Sequence, residues 1–202
     1  MAHKVLLLDF DGVVLRKHPC FHEVKNRCVT YVHKTTRCLD PKLFNQYLYK
    51  TYGHTVIGLQ KDGYKTAEVS EFNEHVYRTF PYEMYFTDIK ETHADHIEEV
   101  ATTLQAAKNN NVDTYLFTNA PHIWCHSVLY FMDLPRLPII PTEGLLKPQP
   151  DVYKLVSSYF PQSKITFVDD SPINFQPILN DKQWNNVLMD GDLSLQDVLD
   201  LM

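Results

Sequence analysis

The stretch Val5-Leu6-Leu7-Leu8-Asp9-Phe10-Asp11-Gly12 decides how this chain folds. An unbroken apolar run stops at two carboxylates separated by one residue. A short continuous apolar run of this kind suits a strand buried on both faces. Residues i and i+2 of an extended segment point to the same side. Asp9 and Asp11 are therefore expected to address one site beyond the carboxyl end of a buried strand. Gly12 then permits a backbone conformation that larger residues resist. Two like charges this close need a counter-cation if they are buried. An all-oxygen, carboxylate-rich site favours Mg²⁺.

Working outward, the same pattern recurs along the chain. Strands are expected at 4–10, 112–118, 137–140, 164–168 and 186–189, the third hemmed by Pro135, Pro138 and Pro141. Helical patterns fall between them at 95–108, 121–132, 150–159, 172–179 and 194–201. Asn109-Asn110-Asn111 is a good helix stop, and Pro121, Pro150 and Pro172 stand where helices tolerate proline. Alternating strands and helices imply an α/β fold, with a Rossmann-like parallel sheet and helices on both faces. Residues 20–86 break the alternation. They offer helical stretches at 21–37, 41–52 and 66–79 and are dense in tyrosine and phenylalanine, which core packing accounts for in the main. This segment is expected to form a small inserted helical unit with its own apolar contacts, so that residues 1–19 and 87–202 make the core domain.

Composition narrows the function. The 202 residues carry a formal net charge of -6, with 44% hydrophobic and 22% charged residues. A globular chain with a real core is expected. The absence of a long basic run argues against nucleic acid as the main partner. No apolar stretch approaches a membrane span, and Met1-Ala2-His3-Lys4 leads into the first strand without a signal-peptide pattern, so a cytoplasmic protein is expected. Cys20, Cys28, Cys38 and Cys125 lack any Cys-x-x-Cys spacing. Three of them share a segment with His18, His22 and His33, but the spacing fits none of the usual zinc patterns.

Open parallel sheets bind ligands beyond the carboxyl ends of their strands. Here those ends bring Asp9 and Asp11, Thr118-Asn119, and Asp169-Asp170. Lys147 stands alone in the loop Leu146-Lys147-Pro148-Gln149-Pro150. Four carboxylates, a hydroxyl, an amide and an ammonium suit a phosphoryl group and a divalent metal. Each piece alone has a plainer account: Asp170-Ser171 before Pro172 makes a helix cap, Thr118-Asn119 a turn, and Lys147 a solvated charge. Their joint order is what points to chemistry.

In that order the chain resembles the haloacid dehalogenase-like superfamily of phosphotransferases. Asp9-Phe10-Asp11, Thr118, Lys147 and Asp169-Asp170 match its four motifs, and the segment 20–86 resembles its C1-type helical cap. Phe117-Thr118-Asn119-Ala120, Lys147-Pro148-x-Pro150-Asp151-x-Tyr153 and Phe167-Val168-Asp169-Asp170-Ser171-x-x-Asn174 are similar to pyrimidine 5′-nucleotidase-like members. The resemblance implies a Mg²⁺-dependent phosphatase acting on a small phosphorylated metabolite, with a nucleoside monophosphate among the candidates. Asp9 would be the nucleophile and Asp11 the general acid and base. Thr118 and the Asn119 amide would hold phosphoryl oxygens, and Lys147 would offset charge. Asp9, the Asp11 carbonyl and Asp170 would bind Mg²⁺, with Asp169 reaching it directly or through water, and Asn174 would orient a motif residue.

Arg16 and His122 are further candidates for contact with substrate, Arg16 on the flap after the first motif and His122 on the helix after Thr118-Asn119. Trp124 is expected in the core. His93 and His96 read as part of a charged helix start. A phosphomutase with the same Asp9 and Asp11, a carbon–halogen hydrolase and a catalytically silent binding module remain alternatives. Asp11 counts against the halogen chemistry, because halide departure needs no acid. The leaving group and the oligomeric state are not legible in the sequence.

Overall fold

The computed structural model describes residues 3–190 and 193–200. Strand β1 (Lys4–Leu8) lies at the centre. It is followed by α1 (Cys20–Thr36), α2 (Pro41–Tyr52), α3 (Thr55–Lys61), α4 (Val69–Tyr77), α5 (Tyr82–Phe86), α6 (Ile89–Thr92) and α7 (Ala94–Asn109). Then come β2 (Asp113–Leu116), α8 (His122–Phe131), α9 (Pro150–Tyr159), β3 (Lys164–Asp169), a 3₁₀ segment (Pro172–Ile178), β4 (Trp184–Leu188) and α10 (Leu195–Asp200). All strand pairs are parallel, in the order β2-β1-β3-β4. The chain leaves β1 for one side and crosses to the other after β2. The switch in strand order thus falls at β1, where open α/β sheets bind ligands.

The sheet is covered on both faces, as the apolar run of β1 requires. Leu6 and Leu8 join one core with Val168, Val100 and Trp124. Val5 and Leu7 join the other with Phe117, Phe167, Tyr153 and Trp184. This is the period-two alternation of a strand sandwiched between helices.

The helical insertion does not keep a core of its own. Tyr31, Val32, Leu48, Leu59, Phe72 and Val76 belong to the same cluster as Leu6 and Leu8. Burying the insertion's apolar faces therefore also holds it to the sheet domain.

Several elements depart from the expected pattern. Residues 137–140 form no strand, only a bridge between Ile139 and Leu116. Leu116 N donates to Pro138 O and Ile140 N to Leu116 O, and the ladder goes no further. Pro138 and Pro141 have no N–H to extend it. Residues 172–179 wind as a 3₁₀ segment because Pro177 sits inside it, where a missing N–H interrupts an α-helical ladder. Strand β4 begins at Trp184, where pairing with Ile165 draws in residues whose asparagines read poorly as strand. Strands β1 and β2 stop short of Phe10 and Thr118, so both motifs occupy the turns that follow. Helices α3, α5 and α6 were not expected; at four to seven residues they leave little periodicity to read. Helix α4 is shorter than the expected 66–79. Of the last expected helix, Leu201 lies outside the described residues. All four cysteines are free, Cys20 and Cys125 being buried.

Candidate active site

The parallel register sets Leu8 beside both Leu116 and Val168. The ladder runs one step beyond: Phe117 N donates to Leu8 O (2.9 Å), Asp9 N to Val168 O (2.8 Å) and Met189 N to Asp169 O (2.9 Å). Asp9 and Asp169 consequently stand at one level of the sheet edge, with Thr118 one residue beyond it. After Asp9 the chain turns sharply, with the amides of Val14 and Leu15 donating to the Phe10 carbonyl at 3.0 and 2.9 Å. Gly12 adopts φ +91°, and a Cβ there would lie 2.1 Å from Asp170 Oδ2. Glycine is thus demanded both by backbone conformation and by the close approach of the fourth motif.

Lys147 is buried at 1% exposure, far from the solvated charge its loop position suggests. Its Nζ lies 2.6 Å from Asp169 Oδ2 and 3.0 Å from Asp9 Oδ1. The ammonium also stands 5.3 Å and 5.1 Å from the ring centres of Phe117 and Phe167, within cation–π range. Asn119 anchors the lysine loop: its side-chain amide donates to Lys147 O and accepts from Lys147 N, each at 2.8 Å. Asp169 receives further hydrogen bonds from Ser171 N (2.8 Å) and from Asn174 Nδ2, at 3.0 and 2.9 Å to its two oxygens. Asn174 is fixed in turn, its carbonyl accepting from the Tyr153 hydroxyl.

Both Asp169 oxygens are therefore committed to protein donors. Asp9 Oδ1 accepts from Phe10 N (2.7 Å) and faces Lys147, whereas Asp170 has no side-chain hydrogen bond among the described residues. Oxygens of Asp9, Asp169 and Asp170 lie within 4.8 Å of one another, a group able to hold a metal ion. Four carboxylates with a single buried ammonium leave an excess of negative charge. The donors are all hard oxygens, so the residues fit Mg²⁺.

The electrostatics carry the same imbalance. Burial holds Asp9 above the usual carboxylate range; Lys147 opposes this, while Asp169, Asp170 and Asp11 add repulsion. Burial pushes Asp11 up to about 6, partly countered by a hydrogen bond from Trp124. Asp170 is raised to about 6 by burial and by Asp169. For Lys147, burial favours the neutral form, but Asp169 and Asp9 more than offset it and hold its pKa above the ordinary value.

A cavity of about 460 Å³ joins this cluster to the helical insertion. Asp9, Asp11, Thr118, Asn119, Lys147 and Asn174 line one side, and Phe21, Asn45, His54, Phe72 and Tyr77 are among the residues of the other. Thr118 Oγ1 accepts from Ala120 N at 3.1 Å, which leaves its hydroxyl proton available. Trp124 is fully buried as expected, yet its Nε1 donates to Asp11 Oδ1 at 2.8 Å. The expectation of a core residue missed this polar role.

Two candidates fall elsewhere. Arg16 is close enough to Asp170 to pull its carboxyl down. Its Nη1, however, donates to Leu193 O at 3.3 Å, and its side chain lines a separate cleft beside His93. His122 lines a groove with Ile123, His126 and Arg136. Trp124 and Cys125 turn the inner face of α8 toward the core, and His122, two residues before Trp124, lies about 200° around the helix from it.

Comparisons with known proteins agree with this geometry. Residues 3–176 match the family described as haloacid dehalogenase-like hydrolase. No curated protein matches the chain by sequence. Among solved structures, a dehalogenase superposes with a TM-score of 0.56 at 13% identity, over 99% of this chain and 97% of its own. A hydrolase from Streptococcus pneumoniae TIGR4 gives 0.48 at 13% identity, over 99% and 100%. No helix among the described residues is long and apolar enough to cross a membrane. With its four motifs assembled on one sheet edge and the family match spanning most of its length, the chain belongs to the haloacid dehalogenase-like hydrolases.

Proposed function

We propose that this hydrolase is a Mg²⁺-dependent phosphatase, which cleaves a small phosphorylated metabolite through an aspartyl phosphate on Asp9. The observation that carries this is Asp11. It shares the cavity with Asp9, has one oxygen pinned by Trp124, and is raised to about 6. A carboxyl group so placed is suited to give a proton to a departing alkoxide and then take one from water. Displacement of a halide has no use for it.

In this account Asp9 attacks phosphorus, and the leaving oxygen takes the Asp11 proton as its bond to phosphorus breaks. Asp11 then removes a proton from water, which attacks the aspartyl phosphate, releases phosphate and restores Asp9. The Thr118 hydroxyl and the Asn119 amide hold phosphoryl oxygens, and Lys147 offsets their charge. Asp9, Asp170 and the Asp11 carbonyl would hold Mg²⁺. Asp169, whose oxygens also accept protein hydrogen bonds, positions Lys147 and Asn174 and would reach the cation directly or through water. The cation supplies the positive charge that keeps Asp9 ionised and offsets charge on the transferring group. The insertion faces the carboxylates as a cap that selects the leaving group, and the substrate candidates include nucleoside monophosphates.

The test is release of phosphate from p-nitrophenyl phosphate with Mg²⁺, run beside release of chloride from 2-chloropropionate. Phosphate without chloride is expected. Chloride without phosphate would overturn the proposal.

A further inference from the structure

The wall of the cavity opposite Asp9 carries two polar side chains that are half-used. Asn45 and His54 are buried, at 6% and 8% exposure, and both line the cavity. Asn45 Oδ1 accepts from the Thr55 hydroxyl at 2.8 Å. His54 Nδ1 accepts from Val56 N at 3.2 Å. An imidazole that accepts through Nδ1 carries its proton on Nε2 when neutral. Burial lowers the His54 pKa to about 4, so the ring is neutral at pH 7. What remains of each group is a donor: Asn45 Nδ2 and His54 Nε2–H have no protein partner among the described residues.

Both residues are largely buried but line the cavity, and their free donors are left to whatever occupies it, water or ligand. Two in one cavity, each locked at its other end, mark places where a ligand supplies the acceptor. Beside them Phe72, Tyr77 and Phe21 present aromatic surface, which suits a flat ring. The volume, about 460 Å³, falls in the range of about 300–1,000 Å³ usual for small-molecule sites.

We infer that Asn45 and His54 select the leaving group, and that the substrate class is a phosphate monoester of a flat ring system bearing a carbonyl-type oxygen, the acceptor for these two donors. This deepens the phosphatase proposal and rests on it for the turnover measurements alone.

Two variants remove the donors and keep the internal bonds. His54→Asp retains a side-chain acceptor for Val56 N at this helix N-cap and, ionised, carries no donor, and Asn45→Asp retains an acceptor for the Thr55 hydroxyl. The probes are 3- and 4-acetylphenyl phosphate, each against its ethylphenyl counterpart of nearly equal shape. For at least one acetyl isomer, the ratio of kcat/KM, acetyl over ethyl, should fall about three- to tenfold in each variant, the size of one lost hydrogen bond. The ethyl esters should be nearly unaffected. The free acetylphenols and ethylphenols, titrated by NMR into the full chain, read the same wall without turnover. Wild type should bind one acetylphenol more tightly than its ethyl partner, and the variants should not.

Unchanged ratios in both folded variants, equal losses on acetyl and ethyl esters, or wild type that binds both phenols alike would each overturn the inference. Discrimination among phenols without any ester turnover would instead overturn the phosphatase proposal and leave this one standing.

Discussion

The indole Nε1 of Trp124 donates to Asp11 Oδ1 at 2.8 Å, and the two residues are 113 positions apart in the chain. Around the same indole stand rings from the insertion: Phe80 at 4.9 Å, Tyr77 at 5.3 Å and Phe86 at 5.9 Å between centres. Trp124 thus couples the packing of the helical insertion to the orientation of the second carboxylate. The aromatic density of residues 20–86 serves a core, and that core reaches Asp11 through one hydrogen bond.

Trp124→Phe keeps most of the packing and removes the donor. The bond from Trp124 lowers the Asp11 pKa, so its loss should raise it. The alkaline limb of kcat/KM, where the general acid gives up its proton, should move to higher pH. Turnover should fall about tenfold as the carboxyl loses its alignment. A pH–rate profile checks this. A uniform drop with an unmoved limb would reduce Trp124 to a packing role.

Lys147→Met should be severely destabilising. It leaves Asp9 and Asp169 buried without their shared cation, and breaking a buried ion pair from one side costs about 3–5 kcal/mol. Urea denaturation in EDTA measures the loss. Adding Asp169→Asn should recover part of it, because one stranded charge is gone. A loss under about 1 kcal/mol, the scale of an exposed pair, would contradict the buried placement.

The site was legible in the sequence where it depends on strand ends. Asp9, Thr118 and Asp169 each stand just after an apolar run, and parallel pairing brings such ends to one edge whatever the details. What escaped the sequence depends on contacts that no local pattern encodes. Lys147 taken alone reads as a solvated charge, and only the motif order assigns it to the site; its burial between two aspartates and two phenylalanines is a contact the local sequence does not encode. Asn119 offers a turn signal, while its side chain clamps the lysine loop. Helix α3 was obscured by Gly58, which disfavours helix; packing explains the residue, since a Cβ there would meet Leu48 at 2.8 Å. His122 seemed near the site because it is near Thr118 in sequence, but the turn of α8 carries it to another groove.

Gly12→Ala should cost stability through its positive φ and also disturb the metal site. The new methyl would overlap the Asp170 carboxylate, whose carbon lies 2.2 Å from the ideal Cβ. Asp170 is exposed enough to swing aside, and doing so takes it from the cation. The Mg²⁺ concentration for half-maximal activity should rise at least about tenfold, the effect of losing about 1.4 kcal/mol of ligation. An unchanged Mg²⁺ requirement in a folded variant would show that Asp170 is not a ligand.

Without metal, the buried carboxylates should make stability fall as pH rises. Asp11 holds its proton to about 6 in the folded chain, against an ordinary value of 3.8. Between those values the folded state carries the extra proton, so raising the pH through that window removes stability. In EDTA, Asp11→Asn should therefore gain Tm relative to wild type between pH 4 and 7, a comparison that cancels the titrating groups not coupled to Asp11 and includes the relief of repulsion on Asp9. Adding Mg²⁺ at pH 7 should raise the wild-type Tm. A Tm difference that is flat with pH would refute the raised Asp11.

The most direct measurement of the central claim is capture of the covalent intermediate. The enzyme is mixed with p-nitrophenyl phosphate and Mg²⁺, quenched in acid during turnover and digested with trypsin. Cleavage after Lys4 and Arg16 releases residues 5–16, which hold both Asp9 and Asp11, and fragmentation of that peptide separates the two. The account predicts one phosphoryl group on Asp9, absent from Asp9→Asn. Steady phosphate release with this peptide unmodified, or with the phosphoryl group on Asp11, would contradict it.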